Sequence, residues 1–251
     1  MSGKTEKEHG KGVTWRQPLV CAISTAVCTA LAIWAVVEAP LSSPVPGVSG
    51  LYIAAAVYVP VALWFGVWGC VAGYLSCVFM GFYLGMPLEF LLVWSLADFF
   101  EGFVPLIIYR KLKIKPVVQL KHPKLTYGLT AILLVNVVVS AFALINSLSE
   151  VFIATFIAGI TVLIGQAVIE DRKTWITWLV VGVFVASLIS GIFGVGAMLA
   201  FGEIPAEIFS TVFFGWVFGD VIVLSTIGTA LTVVLTPYIQ KMRIYVRGFF
   251  S

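Results

Sequence analysis

The sequence predicts an all-α membrane protein, a polytopic bundle of about eight transmembrane helices. Of its 251 residues, 61% are hydrophobic and only 11% are charged, and the mean hydropathy is +1.07. A soluble domain carries far more charge, so most of the chain is expected to lie in a lipid bilayer. A transmembrane helix needs roughly 20 apolar residues, which places the predicted spans at about 17–39, 50–66, 67–84, 87–109, 126–147, 151–169, 174–200 and 207–237.

These spans divide the chain into two halves with polar segments between and around them. The first sixteen residues are polar and lack a cleavable small-residue site, so they are predicted to be a cytoplasmic tail and not a signal peptide. The two spans within 50–84 are short and are expected to meet at a turn near Gly66 and Gly69. The predicted parts are a tail at 1–16, a first four-helix half at 17–109, a basic cytoplasmic loop at 110–125, a second four-helix half at 126–237 and a cytoplasmic tail at 238–251.

The basic residues predict the orientation. All 15 lysines and arginines fall in segments that an eight-span topology places on one side of the membrane. That side is the cytoplasm, because Lys and Arg concentrate in cytoplasmic loops. Merging 50–84 into one span would invert the orientation of every segment before it, and the basic residues would then no longer lie on one side. We therefore predict a multi-pass protein of the cell membrane with both termini cytoplasmic. The basic loop is expected to face anionic lipid head groups, and its charge requires no nucleic-acid partner.

Two segments suggest that the halves are related. Residues 85–98 read GMPLEFLLVWSLAD, and residues 202–220 read GEIPAEIFSTVFFGWVFGD. Each contains Gly, then Pro-x-Glu, then an apolar stretch that ends in Trp-x-x-x-Asp. The interval from Glu to Asp is nine residues in the first segment and thirteen in the second, and a difference of four is close to one helical turn. Both helices would run from the outside inward, so a parallel repeat of four spans is one interpretation. A shared helix-start signal at proline is the other.

The same segments place acids deep in the membrane. Asp98 and Asp220 lie about eleven and thirteen residues from the outer ends of their spans, near the bilayer midplane. Glu101 lies one turn below Asp98 on the same face. An ionised carboxylate at that depth costs at least about 2.5–3.5 kcal/mol, and the sequence offers no basic residue there. Protonation, hydrogen bonding or a cationic ligand could each explain the acids. The candidate hydrogen-bonding partners are Ser95, Tyr74, Asn136, Gln166, Ser225, Thr226 and Thr229.

A tryptophan precedes each aspartate by one turn, at Trp94 and Trp216. It could supply an indole N–H, a wall for a bound ring or a cation–π face. One interpretation is that each aspartate is a hydrogen-bonding post between helices. A second is that the two tryptophans and three acids line a small-molecule cavity, and a third is a proton relay. Glu101 has a further alternative, which is to face the inner half and reach Arg110.

The remaining residues predict neither a cofactor nor a metal. Cys21, Cys28, Cys70 and Cys77 lie in predicted spans without a Cys-x-x-Cys motif, and both histidines are in cytoplasmic segments. No nucleophile, base and orienting group stand in a recognisable arrangement, so no enzymatic activity is predicted.

The eight spans, the Pro-x-Glu and Trp-x-x-x-Asp segments and the final run FFGWVFGDVIVLSTIGTALTVVLTPYIQ resemble the membrane-associated sensor domains that precede histidine kinases and diguanylate cyclases. The resemblance covers about 40–240 and includes Trp216, Gly219, Asp220 and Pro237. It implies a sensor. Only KMRIYVRGFFS follows the last span, so signalling would need a separate partner protein.

A second resemblance is to the substrate-binding S component of energy-coupling factor transporters. It is carried by a ridge of small residues on the first helix, by PVPGVSG before the second, by FGVWG at 65–69 and by EGFVPLIIYR at the end of the fourth. The ridge is formed by Ala22, Ala26 and Ala30, which would let another helix approach closely. The resemblance implies that this ridge docks a coupling subunit associated with ATPases. S components usually have six spans, and the second half fits them poorly.

These observations leave three classes of function open. The first is a sensor-like protein that binds a small molecule within the bundle and relays the event to a partner. The second is the substrate-binding subunit of a vitamin or small-molecule uptake transporter, and the third is a self-contained proton- or cation-coupled carrier. In each class the ligand site is predicted at Trp94, Asp98, Glu101, Trp216 and Asp220.

Overall fold

The computed structural model describes residues 14–38, 49–114 and 120–250. The chain forms a bundle of α-helices, as predicted. Each of the eight predicted segments contains a helix, and we number these helices α1 to α8. They are α1 (Arg16–Val36), α2 (Ala55–Phe65), α3 (Val67–Tyr83), α4 (Leu88–Lys111), α5 (Pro123–Ile145), α6 (Ser149–Ile169), α7 (Arg172–Ala200) and α8 (Ala206–Ile239).

Six of these helices are long and apolar enough to cross a membrane, whereas α2 and α3 are shorter. The second predicted span begins at residue 50, whereas its helix begins only at Ala55, after a turn. With 11 residues, α2 is about 16 Å long and cannot by itself cross a hydrocarbon core of about 30 Å.

The helices differ in how deeply they are buried. In α2 every residue except Val57 is buried, and 78% of the apolar window of α8 is buried. By contrast, only 22–28% of the corresponding windows of α1, α5 and α6 is buried. The core therefore consists of α2 and α8 with the inner faces of α4 and α7, and α1, α5 and α6 lie at the periphery.

A hairpin joins α2 to α3, as the glycines predicted. Gly66 adopts φ +67 between the two helices, a conformation in which glycine avoids the cost that a Cβ would bring. A Cβ on Gly69 would overlap the backbone of Ala62, so the two helix backbones are in direct contact. This antiparallel pairing brings Tyr58 of α2 against Gly73 of α3.

Both described ends of the chain lie at the same end of the bundle. Val20 near the start of α1 packs with Phe65 and with Tyr245 of the C-terminal segment in one apolar cluster. Arg110 at the end of α4 donates to the carbonyl oxygens of Leu63 and Val246. The first and last described segments therefore meet beside the turn at Gly66.

Local irregularities occur in the helices that carry the predicted acids. The α-helical pattern of α4 is interrupted at Ser95, between Trp94 and Asp98. In α8 a π-helical stretch, Leu224–Gly228, follows Asp220. The prolines of the two similar segments immediately precede helical residues, Pro87 before α4 and Pro205 before α8, and both have extended backbones. The shared proline thus marks a helix start in each half.

Candidate functional site

The three acids predicted at midplane depth are all in the interior. Asp98 and Glu101 come from α4 and Asp220 comes from α8, and each is at most 1% exposed. Glu101 lies within electrostatic range of both aspartates. We call these three residues the carboxyl cluster. The helix period explains the arrangement, because Asp98 and Glu101 are one turn apart on the face of α4 that meets the core.

Two tyrosines hold the α4 members of the carboxyl cluster. The hydroxyl of Tyr52 donates to Oδ2 of Asp98 at 3.0 Å, and the hydroxyl of Tyr58 donates to Oε2 of Glu101. The two tyrosine rings are also neighbours, with centroids 6.4 Å apart. Both tyrosines come from α2 and the turn before it, so these hydrogen bonds fix the start of α2 against α4.

Asp220 has a different environment, built by α7. Ser190 lies close to the carboxyls of both Asp220 and Glu101. Its hydroxyl oxygen accepts a hydrogen bond from the indole N–H of Trp216 at 2.9 Å. Ser190 thus connects Trp216 to the carboxyl cluster, because the indole of Trp216 bonds to the Ser190 hydroxyl and that hydroxyl lies beside the carboxyls.

The two tryptophans of the similar segments meet. The rings of Trp94 and Trp216 contact each other edge to face, with centroids 6.1 Å apart, and Phe90 stacks on Trp94 at 5.4 Å. The indole nitrogen of Trp94 has no hydrogen-bond partner among the described residues. The aromatic rings therefore form one wall beside the aspartates.

A backbone contact beside Asp220 explains the Gly-Asp pair at 219–220. A Cβ on Gly219 would overlap the carbonyl oxygen of Gly50. Only glycine lets the turn before α2 come this close to α8, and that turn carries Tyr52. Gly219 therefore positions Tyr52 over Asp98, while the next residue of α8 supplies a carboxyl.

A small cavity lies between these groups. Both aspartates, both tryptophans and Tyr52 line it, together with Ser49, Cys77 and Met80. The space open to the centre of a water molecule is about 10 Å³, which corresponds to about one water. One oxygen of Glu101 and one of Asp220 lack a hydrogen-bond partner among the described residues. The site has room for a proton or a water molecule, and a larger ligand would need Trp94 and Trp216 to separate.

No basic side chain of the spans balances the carboxyl cluster. Every Lys and Arg of the sequence lies outside the predicted spans or at their ends. The alternative in which Glu101 reaches Arg110 is wrong, because Arg110 donates to the carbonyls of Leu63, Val246 and Gly248. Among the described residues no group of three His, Cys, Asp or Glu side chains is arranged to hold a metal ion.

The hydrogen-bonding partners suggested from the sequence are mostly engaged elsewhere. Tyr74 donates to the carbonyl of Leu92, and Asn136 to that of Thr155. The hydroxyls of Ser225, Thr226 and Thr229 donate to carbonyls of their own helix, and Gln166 bonds to Thr126 and Thr130. Sequence reasoning missed Tyr52, Tyr58 and Ser190. A tyrosine inside the otherwise apolar run AAVYVPVA was the available signal for Tyr58, since a buried phenol needs a partner.

The alanine ridge of α1 is exposed. Ala22, Ala26 and Ala30 line an apolar groove of about 680 Å³ with Trp68 and Phe79 of α3. The four cysteines are buried free thiols, and of these only Cys77 borders the cavity between the aspartates.

A fourth buried carboxylate, Glu170, follows α6 and shows a contrasting environment. It is 2% exposed, and it accepts hydrogen bonds from the N–H of Lys121, from the N–H of His122 at 2.9 Å and from the hydroxyl of Thr126 at 2.6 Å. Burial raises the pKa of Glu170, but these hydrogen bonds and the charge of His122 outweigh it, so the pKa lies below its ordinary value of 4.5. The hydrogen bonds of Glu170 therefore join the basic loop and the start of α5 to the end of α6.

Comparison with models of protein families, with curated proteins and with solved structures finds no match to this chain. The resemblances to membrane-associated sensor domains and to S components therefore rest on short motifs of the sequence alone.

Proposed function

We propose that this protein is a multi-pass protein of the cell membrane that binds a cationic solute inside its helix bundle, at Asp98, Glu101 and Asp220, in exchange for protons. The observation that carries the proposal is that three fully buried carboxyls from two helices lie within electrostatic range of one another without a basic side chain among them. Three ionised carboxylates would be too costly to bury together. In the absence of the solute, protons neutralise the carboxyls, and the cation displaces these protons when it binds.

The walls of the cavity indicate the class of solute. Trp94, Trp216 and Tyr52 surround the two aspartates, and aromatic faces attract ammonium groups through cation–π interactions. A carboxyl next to aromatic rings suits an organic ammonium compound better than a bare metal ion, which prefers several oxygen ligands. Binding would open the contact between the two tryptophans, and the turn that carries Tyr52 would move with it.

Two uses of this binding remain candidates. A self-contained carrier would move the cation and protons in opposite directions across the membrane. A sensor or uptake subunit would pass the event to a signalling protein or a coupling subunit with ATPases. The second use is favoured by the exposed groove over Ala22, Ala26 and Ala30, because small residues on a membrane helix allow another helix to pack closely.

Proton release on cation addition tests the proposal. Purified protein in weakly buffered detergent, with a pH-sensitive dye, is titrated with sodium chloride and with tetramethylammonium chloride. We expect tetramethylammonium to release protons from the wild-type protein, and Asp98→Asn and Asp220→Asn to reduce this release by about tenfold or more. Glu207→Gln is the matched control, because Glu207 is an exposed acid at the start of α8.

Each outcome decides a point. Unchanged proton release in both cluster variants, or none from the wild-type protein with either salt, would contradict the proposed site. The same proteins in liposomes separate the two uses. Dissipation of a pH gradient by tetramethylammonium would indicate a carrier, whereas binding without flux would favour relay to a partner.

A further inference from the structure

The C-terminal segment after α8 folds back onto the turn between α2 and α3. The N–H of Val246 donates to the carbonyl of Trp64 at 2.9 Å, and the N–H of Val67 donates to the carbonyl of Phe249 at 2.8 Å. The indole of Trp68 donates to the carbonyl of Phe250 at 3.1 Å. Val246 is fully buried. We call residues 240–250 the tail, and these bonds fix it against the helix ends.

A cavity of about 400 Å³ lies between the tail and the end of α4. Its polar lining consists of Tyr109, Arg110, Lys113, Gln240, Tyr245 and Arg247. We call it the basic pocket. It is far larger than the space of a single water molecule, and two separate parts of the chain supply its cations.

No carboxylate lines the basic pocket. The segments that build it contain no acid at all, since the sequence has no Asp or Glu from 102 to 149 and none after Asp220. Arg110, Lys113 and Arg247 therefore bring three positive charges together without an acidic side chain from their own segments. Such a pocket attracts an anion.

Arg110 is held in a fixed orientation at this site. Its Nε donates to the carbonyl of Gly248 at 2.9 Å, and its Nη2 donates to the carbonyls of Leu63 at 3.0 Å and Val246 at 2.6 Å. Its other terminal nitrogen, Nη1, makes no hydrogen bond to the described residues and keeps two donors. A guanidinium fixed in this way recognises phosphate oxygens well, because little freedom is lost on binding.

Lys113 occupies a position that normally favours glycine. Its φ is +52, and it follows the last turn of α4, where the N–H of Ile114 donates to the carbonyl of Tyr109 at 3.0 Å. This is the hydrogen bond of a Schellman cap, whose left-handed residue is usually Gly because other side chains are strained there. A lysine at this place costs stability, which a role for its ammonium group in the pocket would explain.

Apolar side chains are exposed on or next to the segments that build the pocket. Leu112, Tyr238, Met242 and Phe250 are all at least half exposed. Exposed apolar groups next to cations are typical of the boundary between hydrocarbon and head groups. We therefore expect the basic pocket to lie at the level of the lipid phosphates when the protein is in a membrane.

We propose that the basic pocket binds a phosphate group, supplied either by the head group of an anionic lipid or by a soluble phosphate compound. Arg110 provides the fixed donors, and Lys113 and Arg247 provide charge. Because the tail builds one side of the pocket, a bound phosphate bridges the tail and the end of α4.

Binding to the full-length purified protein tests this site. The probes are dioctanoyl phosphatidic acid and inorganic pyrophosphate, with dioctanoylglycerol as a lipid that lacks phosphate. We expect the double variant Lys113→Gln with Arg247→Gln to bind phosphate about tenfold or more weakly than the wild-type protein. Lys241→Gln with Arg243→Gln is the matched control, since it removes the same charge from exposed residues outside the pocket, and it should change binding less than about twofold.

A second variant separates the site from stability. Lys113→Gly should raise the melting temperature, since glycine relieves the left-handed strain, and should still weaken phosphate binding. If Lys113→Gly binds like the wild-type protein, if both double variants lose affinity equally, or if neither phosphate probe binds, the proposal is overturned. Binding of phosphatidic acid alone would support a lipid head group, and binding of pyrophosphate as well would support a soluble phosphate compound.

Discussion

At the scale of single residues, buried carboxyls have two kinds of surroundings in this protein. Glu170 accepts three hydrogen bonds close to the basic loop. Glu101, deep in the bundle, is bonded to one tyrosine through one oxygen, and its other oxygen has no partner among the described residues. A fully bonded carboxylate stabilises a fold. A carboxyl with a free oxygen in an apolar interior is costly, and that cost is a reason to connect it with binding.

We expect Glu170→Gln to lower the melting temperature at neutral pH by about 2–8 °C, corresponding to about 1–2 kcal/mol of lost hydrogen bonding to a charged group. The direction in which this stabilisation changes with pH follows from the lowered pKa of Glu170. The contribution is fully present above the ordinary pKa of 4.5 and is lost as the pH falls through the pKa of the folded state. Thermal melts of wild type and variant from neutral to acidic pH should therefore converge.

Glu150→Gln is a suitable control for these melts, because Glu150 is an exposed acid at the start of α6. A difference between wild type and Glu170→Gln that stays constant down to acidic pH would contradict the assigned ionisation.

The sequence allowed Asp98, Asp220 and the two tryptophans to be selected, because acids in apolar runs are rare and a repeated spacing is visible without a structure. It did not reveal Tyr52, Tyr58 or Ser190. Their hydroxyls become relevant only when α2 and α7 are packed against α4 and α8, and a single sequence carries no information on those contacts. The helix period predicts that Glu101 shares the face of Asp98, but the sequence does not predict its partner, Tyr58.

At the scale of elements, the central pair is α8 and the turn before α2. Gly215 and Gly219 lie one turn apart in α8, but their neighbours differ. A Cβ on Gly219 would overlap the carbonyl of Gly50, whereas a Cβ on Gly215 would meet nothing within 4 Å. Close packing therefore requires glycine at one of the two positions only. The helix pattern predicted α8 correctly, yet it could not show that α2 is only a partial crossing, because its apolar run continues upstream through the turn.

We expect Gly219→Ala to push the turn that carries Tyr52 away from α8, with a loss of about 1–3 kcal/mol of stability from overpacking and reduced proton release on cation addition. Gly215→Ala should be neutral or more stable by up to about 1 kcal/mol, because alanine is the better helix former. Thermal melts and the proton-release assay measure both effects. Equal behaviour of the two variants would contradict the contact between Gly50 and Gly219.

At the scale of the whole molecule, both described ends of the chain lie at one end of the bundle beside the basic pocket. We propose that this end faces the cytoplasm and that the chain crosses the membrane eight times, with α2 and the turn before it together completing the second crossing. The uneven distribution of the 15 basic residues supports the orientation.

Cysteine labelling tests this topology. The four native cysteines are buried, so new surface cysteines should react selectively. In intact cells a membrane-impermeant maleimide is expected to label Asn146→Cys and Glu203→Cys, and to label Arg172→Cys and Arg243→Cys only after the cells are opened. Labelling of Arg172→Cys in intact cells would show that the orientation or the number of crossings is different.

The bond between Trp68 and the tail joins residues 182 positions apart, and this separation governs the order of assembly. A ribosome completes the turn at Gly66 long before it reaches Phe249 and Phe250, so the N–H of Val67 and the indole of Trp68 lack these partners until α3 to α8 have been synthesised. Docking of the tail can occur only after α8 is synthesised. The surface beside the turn between α2 and α3 is thus completed by a segment synthesised after α8, and a chain that has not reached this stage leaves that surface exposed to aggregation and proteolysis.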